Sequence, residues 1–497
     1  MIENKKYIIN PNYFIRGDEN RAFITNKYNN PDLEKYSNIA FTDNFFSFWH
    51  PYFAAMISFF TGEFTLGEQL QKMEFFLEID KETIKQMVNP FLENKEILTK
   101  KEGDLTVFIP ENLIIEYKND FPVQTQNLED FIFTDLDLTT KRVNRPLGCT
   151  FMLNTKCVTN CIYCYADRQN ILKEIPLYKI KELVNEAKQL GMKSFDILGG
   201  EFFLYSDWKK LLKILIENDF HPYISTKVPV SKQDIDYMKS IGLRYIQISL
   251  DTVNNNVLTQ MLNVKDSYYD KIRETIENLN KVGINIVVHS ILTSLNCKKE
   301  DIITLLDYLS NIECVTSIRL TPVSNSRFKD KQNFEFIQCN DNDMKVVNTI
   351  VENYRQKYGK KYIVRDMEKY EDVQTSNKTI DKFNNRSFCT GNTRNFYILP
   401  DGKVTFCEQM YWSHNFIIGD INNMSIMDFW NSNLAKNFNT IRHSKMRKES
   451  KCYECKDFEK CHFGKGLCWK MIVEHYGEEN WDFPDPRCPK SPKSNLI

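Results

Sequence analysis

Three cysteines lie within one short stretch of the sequence, Cys157-x3-Cys161-x2-Cys164. Three thiolates at this spacing can bind three irons of a cubane 4Fe–4S cluster, because each iron takes one sulfur ligand from the protein. The fourth iron then has no ligand from this stretch and is open to a substrate or cofactor. Zinc is the alternative metal, but a structural zinc site needs four ligands and this stretch supplies three. The spacing therefore favours an iron–sulfur cluster with one open coordination position.

Seven further cysteines lie in the last quarter of the chain: Cys389, Cys407, Cys452, Cys455, Cys461, Cys468 and Cys488. Seven thiols exceed the four ligands of one cluster, so two metal centres are expected. A pair of zinc sites is the alternative, because cysteine spacing alone does not identify the metal. Residues 1–6 lack the layout of a secretion signal, and clustered thiols in a reducing compartment indicate metal ligands rather than disulfides.

The elements that position the first cysteine group read as alternating strands and helices between residues 148 and 340. Strands are expected at 149–153, 194–198, 222–225, 245–250, 285–289 and 317–320. Amphipathic helices are expected between them, for example at 177–190, 207–218 and 268–282. Six such repeats predict an α/β fold, a parallel sheet curled into a partial (β/α)6 barrel. Active sites of barrels lie at the carboxyl ends of the strands, which is where the cysteine loop falls.

Residues 1–115 read as a small winged-helix α+β domain. Segments 13–16 and 21–25 flank a hairpin turn at Gly17, and 39–41 could add a third strand. Three helical segments follow, of which the second begins with the capping-box pair Thr65 and Glu68. Residues 105–109 alternate as one strand of a wing after the turn at Gly103.

The charge of this N-terminal region decides between its possible partners. Residues 51–110 contain six Lys, no Arg and ten acidic residues, a net charge of −4. A DNA reader needs basic side chains that face phosphates, so DNA binding is not expected. Two interpretations stay open, a structural appendage without a ligand and a peptide-binding module that adds a strand to an open sheet edge.

The composition is that of a globular protein with several domains. A length of 497 residues suggests about three domains at ~150 residues each. Hydrophobic residues at 42% and charged residues at 26% exclude wholesale disorder. The formal charge of −1 provides no overall basic field for nucleic acid or anionic lipid, and the longest apolar run, 52–60, is too short to span a bilayer. We expect a cytoplasmic protein that binds neither nucleic acid nor membrane.

The motif Cys157-x3-Cys161-x2-Cys164 resembles the defining motif of radical S-adenosylmethionine (SAM) enzymes. The triplet Gly199-Gly200-Glu201, which follows the second expected strand, is similar to the Gly-Gly-Glu motif of that family. The resemblance implies that this triplet holds the amino group of SAM. It also implies further SAM contacts, a polar pair at the ribose and apolar side chains at the adenine: Ser249 and Asp251, then Tyr165, Ile291 and Leu292. We interpret His289, at the end of the fifth expected strand, as a structural histidine.

The second cysteine group resembles the SPASM extension of peptide- and protein-modifying radical SAM enzymes, which carries two auxiliary 4Fe–4S clusters. The resemblance implies a distal cluster with the ligands Cys452, Cys455, Cys461 and Cys488. It implies a proximal cluster, one cysteine short, with the ligands Cys389, Cys407 and Cys468. Six residues separate Cys461 from Cys468, where the family usually has three. Glu408 stands where the sulfatase-maturing branch has a carboxylate base, and an inert glutamate is the alternative interpretation.

The expected organisation is a winged-helix peptide-recognition domain, a linker, the radical SAM partial barrel, a bridging region and the cysteine-rich iron–sulfur domain, at 1–115, 116–147, 148–340, 341–388 and 389–490. Because residues 1–115 loosely resemble precursor-recognition elements, the resemblance implies an enzyme that binds a leader peptide. It would install a thioether or carbon–carbon crosslink in the core peptide. The implied cofactors are SAM and three 4Fe–4S clusters, and the implied partners are a precursor peptide and an electron donor such as flavodoxin or ferredoxin.

Three other functions remain as alternatives. The first is a protein-modifying maturase of the anaerobic sulfatase type, and the second is a peptide epimerase. The third is a redox-sensing regulator that combines a winged helix with iron–sulfur centres. The Gly-Gly-Glu triplet and the residues Ser249 and Asp251 count against the regulator, because a sensor does not need SAM.

Anaerobically reconstituted protein should contain three 4Fe–4S clusters, about twelve irons per chain at four per cluster. Replacing Cys157, Cys161 and Cys164 together by Ala should remove about four irons and abolish release of 5′-deoxyadenosine, whereas the scattered Cys314→Ala should change neither. Metal analysis and product chromatography measure both effects. Iron near four per chain, or zinc in its place, would contradict the two auxiliary clusters.

Overall fold

The computed structural model describes residues 2–26, 45–92, 94–102, 105–119, 121–166, 173–324, 331–365, 381, 383–386, 388–411, 413–439, 441 and 443–492. The chain divides into two compact units, Met1–Arg145 and Pro146–Ile497. Each unit buries a set of apolar side chains of its own. Over the ranges described, no helix is both long and apolar enough to cross a membrane.

The strands of the first unit form three small sheets. They are β1 Lys6–Ile9, β2 Tyr13–Gly17, β3 Ala22–Asn26, β4 Phe46–Trp49, β5 Thr61–Thr65, β6 Leu98–Glu102, β7 Leu105–Ile109 and β8 Ile114–Glu116. The sheet orders are β5-β1-β8, β2-β3-β4 and β6-β7. The hairpin predicted around Gly17 is confirmed, since β2 and β3 pair antiparallel. The segment 39–41, predicted as a third strand, and the turn at Gly103 lie outside the described residues.

Three helices of the first unit lie between β4 and β6: α1 Pro51–Ser58, α2 Leu66–Leu77 and α3 Lys81–Val88. The predicted capping box opens α2, because Glu68 donates its backbone N–H to the Thr65 hydroxyl and accepts the Thr65 N–H. Trp49 is fully buried in the core of the unit, and its indole N–H donates to the Phe108 carbonyl at 3.0 Å. The unit thus contains the expected strands, three helices and hairpin, with the additional strand β5 between α1 and α2, and the winged-helix assignment stays a prediction.

Residues up to Arg145 belong to the first unit, which differs from the linker expected at 116–147. Phe131 is 2% exposed and packs in the core of this unit. Gln124 donates its side-chain amide to the Tyr13 carbonyl at 2.6 Å, and Arg145 donates to the Gly17 carbonyl at 3.2 Å. These donors occupy main-chain acceptors of β2, so the segment covers the edge of that strand.

The second unit begins with the alternating strands and helices that the sequence predicts. The strands are β9 Gly148–Met152, β10 Ser194–Leu198, β11 Ser225–Thr226, β12 Tyr245–Ser249, β13 Asn285–Leu292 and β14 Val315–Pro322. The helices are α4 Leu177–Gln189, α5 Trp208–Glu217, α6 Lys232–Ser240, α7 Asn255–Leu262, α8 Tyr268–Val282 and α9 Lys299–Ser310. Each of the six predicted strands overlaps a strand of the structure, although β11 is only two residues long and shares only Ser225 with the predicted 222–225.

The parallel strands of the second unit fall into two sheets. One contains β9 and β10, and the other has the order β11-β12-β13-β14-β15, where β15 is Lys361–Val364. Between the two sheets, the Tyr223 N–H donates to the Asp196 carboxylate at 2.9 Å. The structure is therefore mixed α/β as predicted, while the curl of all strands into a single partial barrel stays a prediction. The strand β15 lies in the expected bridging region, which the sequence analysis did not assign to the sheet.

The remaining elements belong to the bridging and cysteine-rich regions. They are α10 Lys331–Ile337, α11 Asp341–Lys357, β16 Asn395–Ile398, β17 Lys403–Thr405, β18 Ile417–Asp420, α12 Ile426–Asn431, α13 Asn433–Asn439 and α14 Trp469–Tyr476. Strand β16 pairs parallel with β9, and β17 and β18 extend the same sheet antiparallel. The cysteine-rich region thus continues the sheet whose first strand leads into Cys157.

Candidate active site

The three-cysteine loop follows β9 and is held by its backbone. The N–H groups of Asn160 and Ile162 donate to carbonyls at the end of α7, at 2.9 Å each. The Thr159 hydroxyl lies 3.4 Å from the sulfur of Cys157 and 3.2 Å from the sulfur of Cys161. One hydroxyl thus bridges two of the three thiols, while the main chain of the loop is fixed from a neighbouring helix.

The glycines of the Gly-Gly-Glu triplet allow β10 to pack directly against the start of this loop. A Cβ on Gly199 would lie 2.8 Å from the Asn154 carbonyl oxygen, and a Cβ on Gly200 would lie 1.9 Å from the Lys156 carbonyl oxygen. Gly199 also has a φ of +130°, a region that favours glycine. The Gly200 N–H donates to the Asn154 carbonyl at 2.7 Å. Both glycines are therefore required by backbone contact with the residues that lead into Cys157.

Glu201 is buried where β10 and β11 end. Its carboxylate accepts the Thr226 hydroxyl at 2.6 Å and the Lys227 N–H at 3.0 Å. Burial raises the pKa of Glu201, and the hydrogen bond from Thr226 opposes that shift. The Phe203 N–H is a third donor to this carboxylate, and a carboxylate has about four lone-pair sites, so about one remains for a further donor such as an ammonium group. The SAM contact predicted for Glu201 stays a prediction.

Asp251 is fully buried, and its carboxylate binds three protein donors. One oxygen accepts the Tyr163 hydroxyl and the Lys227 ammonium, the latter at 3.0 Å, and the other oxygen accepts the Ile291 N–H at 2.8 Å. Ser249, the expected partner of Asp251 at the ribose, instead accepts the Gln247 side-chain amide at 2.9 Å. In this structure, Asp251 connects the cysteine loop to two strand ends.

Two residues of this arrangement, Tyr163 and Lys227, were missed by the sequence analysis. The Lys227 ammonium lies 5.4 Å from the centroid of the Tyr163 ring, and its side chain is 15% exposed. Burial lowers the pKa of Lys227, but the Asp251 carboxylate and the sulfurs of Cys161 and Cys157 together more than offset this effect, so the pKa lies above its ordinary value. The position of Tyr163 inside the cysteine motif was a usable signal. Lys227 had none, because a two-residue strand precedes it.

The residues expected at the adenine lie on different faces of the structure. Residues of β13 alternate between half-buried and buried, so Ile291 and Leu292 point to opposite faces of the sheet. Leu292 is fully buried and packs in the core, which corrects its assignment as an adenine contact. Ile291 lies on the same face as His289, whose ring nitrogen is 2.9 Å from the Thr321 hydroxyl. Burial lowers the pKa of His289 to about 4, and the Lys227 ammonium adds to that effect.

Tyr165 and Glu408 bring the first cysteine loop near the proximal group. Tyr165 is 37% exposed as a whole residue. Burial of its hydroxyl raises the pKa of Tyr165, and the nearby Glu408 carboxylate raises it further. Burial also raises the pKa of Glu408, and the Arg365 guanidinium and the Lys470 ammonium oppose the shift. A raised pKa makes the carboxylate of Glu408 a stronger base than that of an exposed glutamate.

The later cysteines affect one another's pKa values within two sets, while their assignment as ligands of a distal and a proximal cluster stays a prediction. In the distal group, burial raises the pKa of Cys452 to about 12, with contributions from the thiols of Cys488, Cys461 and Cys455. In the proximal group, burial raises the pKa of Cys407 to about 12, with contributions from Glu408 and from the thiols of Cys468 and Cys389. Such mutual effects require the thiols to be close to one another.

The six residues before Cys468 form an ordered segment. Residues Lys460–Lys465 make a π-helical turn, and the His462 ring stacks on Phe458 with centroids 3.9 Å apart. Gly466 lies beside Cys389, and Cys468 then caps the start of α14. The longer spacing is therefore compatible with a place for Cys468 in the proximal group.

The donor sets fit iron–sulfur clusters, since thiolates are the preferred protein ligands of such clusters and each group offers three or four. Over the ranges described, no three His, Cys, Asp or Glu side chains surround a point that a single metal ion could occupy. The three motif cysteines would hold the cluster that binds SAM, and the two later groups would hold auxiliary clusters.

Two family models match the second unit. One, described as the radical SAM superfamily, matches residues 152–309, and the other, SPASM, described as an iron-sulfur cluster-binding domain, matches residues 389–456. The first match includes the cysteine loop, Glu201 and Asp251. The second begins at Cys389 and ends just after Cys455.

Crystal structures of Streptococcus suis SuiB align with nearly the whole chain. The structure bound to S-adenosylmethionine has a TM-score of 0.62 and 15% identity, and the alignment covers 97% of this chain and 99% of that chain. The structure bound to the precursor peptide SuiA has a TM-score of 0.61 and 14% identity, with 96% and 98% covered. At this level of identity the likeness concerns the fold.

Curated relatives match only part of the chain. A probable GTP 3′,8-cyclase of Pyrobaculum aerophilum is 20% identical over 263 residues, which are 52% of this chain and 82% of that protein. A GTP 3′,8-cyclase of Aliarcobacter butzleri is 28% identical over 163 residues, 31% of this chain and 48% of that protein. The chain thus spans about half the length of the second relative.

Replacing Asp251 by Ala should remove about four irons per chain, the content of one cluster. The change leaves the Lys227 ammonium without its buried partner and releases Tyr163, and breaking a buried ion pair costs about 3–5 kcal/mol. Iron analysis and equilibrium binding of SAM measure the effect, with the exposed Asp236→Ala as the control. An unchanged iron content with weaker SAM binding would instead support the ribose contact.

Proposed function

We propose, on the premise that this chain is an enzyme joining a radical SAM domain to a SPASM domain, that it modifies a ribosomally made peptide. It binds the leader part of the peptide with its first unit and installs a thioether or carbon–carbon crosslink in the core part. The observation that carries the proposal is the alignment with SuiB bound to precursor peptide, which covers 96% of this chain. A match of that extent includes most of the first unit.

The second unit supplies the residues for radical formation. Cys157, Cys161 and Cys164 hold a 4Fe–4S cluster, and Glu201 accepts the amino group of SAM with its remaining lone-pair site. Ser249 contacts the ribose. Bound together, the cluster and SAM supply a 5′-deoxyadenosyl radical, which takes a hydrogen atom from an unactivated C–H bond. The protein orients the groups and excludes water, because the cofactors carry the difficult chemistry.

The first unit is suited to a peptide rather than to nucleic acid. Its net charge of −4 over residues 51–110 repels phosphates. The outer edge of β2 is covered by the segment 124–145. Strand β6, in contrast, pairs with β7 alone among the described strands. A leader peptide that adds a strand at such an edge gains affinity from main-chain hydrogen bonds.

The proximal cysteine group supports a crosslink as the product. Cys389, Cys407 and Cys468 provide three thiolates for a four-iron cluster, which leaves one iron for the thiolate of a substrate cysteine. Glu408 follows Cys407, and its raised pKa makes it a base for the proton that crosslinking releases. We place the protein in the cytoplasm, where thiols stay reduced and a flavodoxin or ferredoxin can supply the electron.

Removing the first unit should weaken leader binding while SAM cleavage without peptide is retained. The deletion should end at Arg145 rather than at residue 115, because Phe131 belongs to the core of the unit. The ligand is a labelled leader peptide from a short open reading frame beside the gene, and fluorescence anisotropy measures its affinity. A proline in the middle of the leader should mimic the deletion, since it removes a main-chain donor. Unchanged affinity after the deletion would place recognition elsewhere.

The product should be lighter than the precursor by two hydrogens per crosslink. Each turnover should release one methionine and one 5′-deoxyadenosine, because one hydrogen leaves as an atom and the other as a proton and an electron. Mass spectrometry of the peptide after alkylation identifies the bond, since a cysteine in a thioether stays unlabelled and cysteines beside a carbon–carbon bond stay reactive. Unchanged mass with deuterium gained from solvent would indicate epimerisation, and oxidation of a single Cys or Ser would indicate a sulfatase-type maturase.

A further inference from the structure

Two cationic side chains donate hydrogen bonds directly to sulfur atoms of the distal cysteine group. The Arg386 guanidinium lies 3.1 Å from the sulfur of Cys461, and the Lys490 ammonium lies 3.1 Å from the sulfur of Cys455. A cysteine sulfur that binds an iron–sulfur cluster is a thiolate, so both cations stabilise negative charge on the sulfur that they contact.

Arg386 is held rigidly in this position. It is 8% exposed, and its guanidinium lies 4.0 Å from the centroid of the Phe383 ring. Its Nε donates to the Gly466 carbonyl at 2.9 Å, and its two terminal nitrogens donate to the carbonyls of Phe383 and Cys461 at 2.8 and 3.1 Å. A guanidinium with this many fixed acceptors does not need to reorganise when charge at the sulfur changes.

Lys490 is anchored through its main chain. Its N–H lies 3.4 Å from the sulfur of Cys488, so one residue contacts two thiols of the distal group. The Asp457 carboxylate lies 3.7 Å from the ammonium, at the limit of an ion pair and farther away than the sulfur of Cys455.

The proximal group has different surroundings. The thiols of Cys389, Cys407 and Cys468 accept hydrogen bonds from backbone N–H groups of Gly391, Gln409 and Met471. Glu408 directly follows Cys407 in the chain, and Lys470 follows Cys468 by two residues. The distal group thus receives hydrogen bonds from two cations, and the proximal group has one carboxylate and one ammonium group close to it in the chain.

One acidic residue, Asp485, lies near both groups and therefore does not account for a difference between them. Its carboxylate raises the pKa of Cys488 in the distal group and of Cys468 in the proximal group. Arg487 donates to both of its oxygens, at 2.9 and 2.8 Å, which offsets much of its charge. At the proximal group the Arg365 guanidinium and the Lys470 ammonium act against the charge of Glu408, so the comparison rests on the hydrogen bonds that Arg386 and Lys490 donate to sulfur.

We propose that Arg386 and Lys490 make the distal auxiliary cluster the more readily reduced of the two, so that an electron shared between the auxiliary sites resides at the distal site. Reduction adds one negative charge to a cluster, and nearby cations and hydrogen bonds to its sulfurs favour that charge. The inference rests on the two auxiliary clusters of the proposed function but does not depend on the peptide or on the bond formed.

The test is a redox titration followed by electron paramagnetic resonance, without peptide, on full-length protein in which Cys157, Cys161 and Cys164 are Ala. Only the auxiliary clusters then contribute, and a further variant with Cys389, Cys407 and Cys468 replaced identifies the distal signal. The distal signal should appear at the higher potential. Arg386→Met and Lys490→Met should each lower the equilibrium constant for its reduction about tenfold, which is about 59 mV for one electron, and leave the proximal signal in place.

Lys456→Met is the matched control. Lys456 is exposed and adjoins Cys455, so its replacement removes the same charge as Lys490→Met. Its smaller effect separates the hydrogen bond to sulfur from net charge. If Arg386→Met loses iron, Arg386→Lys, which retains the charge, is measured in its place. The Lys490→Met variant tests the proposal independently of Arg386. A distal potential at or below the proximal one, or one that Lys490→Met leaves unchanged, overturns the proposal. About four irons per chain in the tested protein, rather than about eight, would contradict the premise that there are two auxiliary clusters.

Discussion

A buried carboxylate is tolerated only where donors satisfy its oxygens, and Asp251 finds its donors on three separate segments of the second unit. Tyr163 comes from the cysteine loop, Lys227 follows β11, and Ile291 belongs to β13. Because the charge cannot be left without these partners, the three segments are fixed relative to one another. The arrangement of the first cysteine loop therefore depends on a residue that lies far from it in the sequence.

A second constraint concerns strand β9, which leads into that loop. It has a parallel neighbour on each side, β10 and β16, so the loop emerges from the interior of a sheet rather than from its edge. The contact of Gly200 with Lys156 then fixes the start of the loop from one side. The strands after β16 bring Cys407 and Glu408 to the same region. One sheet thus orders the first cysteine loop and the proximal group together.

Much of this arrangement could be predicted, because period and spacing are local properties of a sequence. The strands of the second unit and the helix capped by Thr65 follow from local patterns, whereas the division of the later cysteines into two ligand groups rests on the resemblance to the SPASM extension. The side-chain alternation of β13 also predicts that Ile291 and Leu292 cannot share a face, and assigning both to adenine overlooked it. The packing of Phe131, the strand β15 and the contact of Lys227 with Asp251 depend on tertiary partners, so no local pattern indicates them.

The pairing of β9 with β16 has a consequence for the synthesis of the chain. Phe396 pairs with Cys149 but is made roughly 250 residues later. Until then one edge of β9 has no partner. The strand also contains Phe151, which is fully buried in the folded protein. Contacts so distant in sequence form slowly, and an unpaired apolar strand edge favours association between nascent chains. The nascent chain should therefore require protection, by a chaperone or the ribosome surface, until the cysteine-rich region emerges.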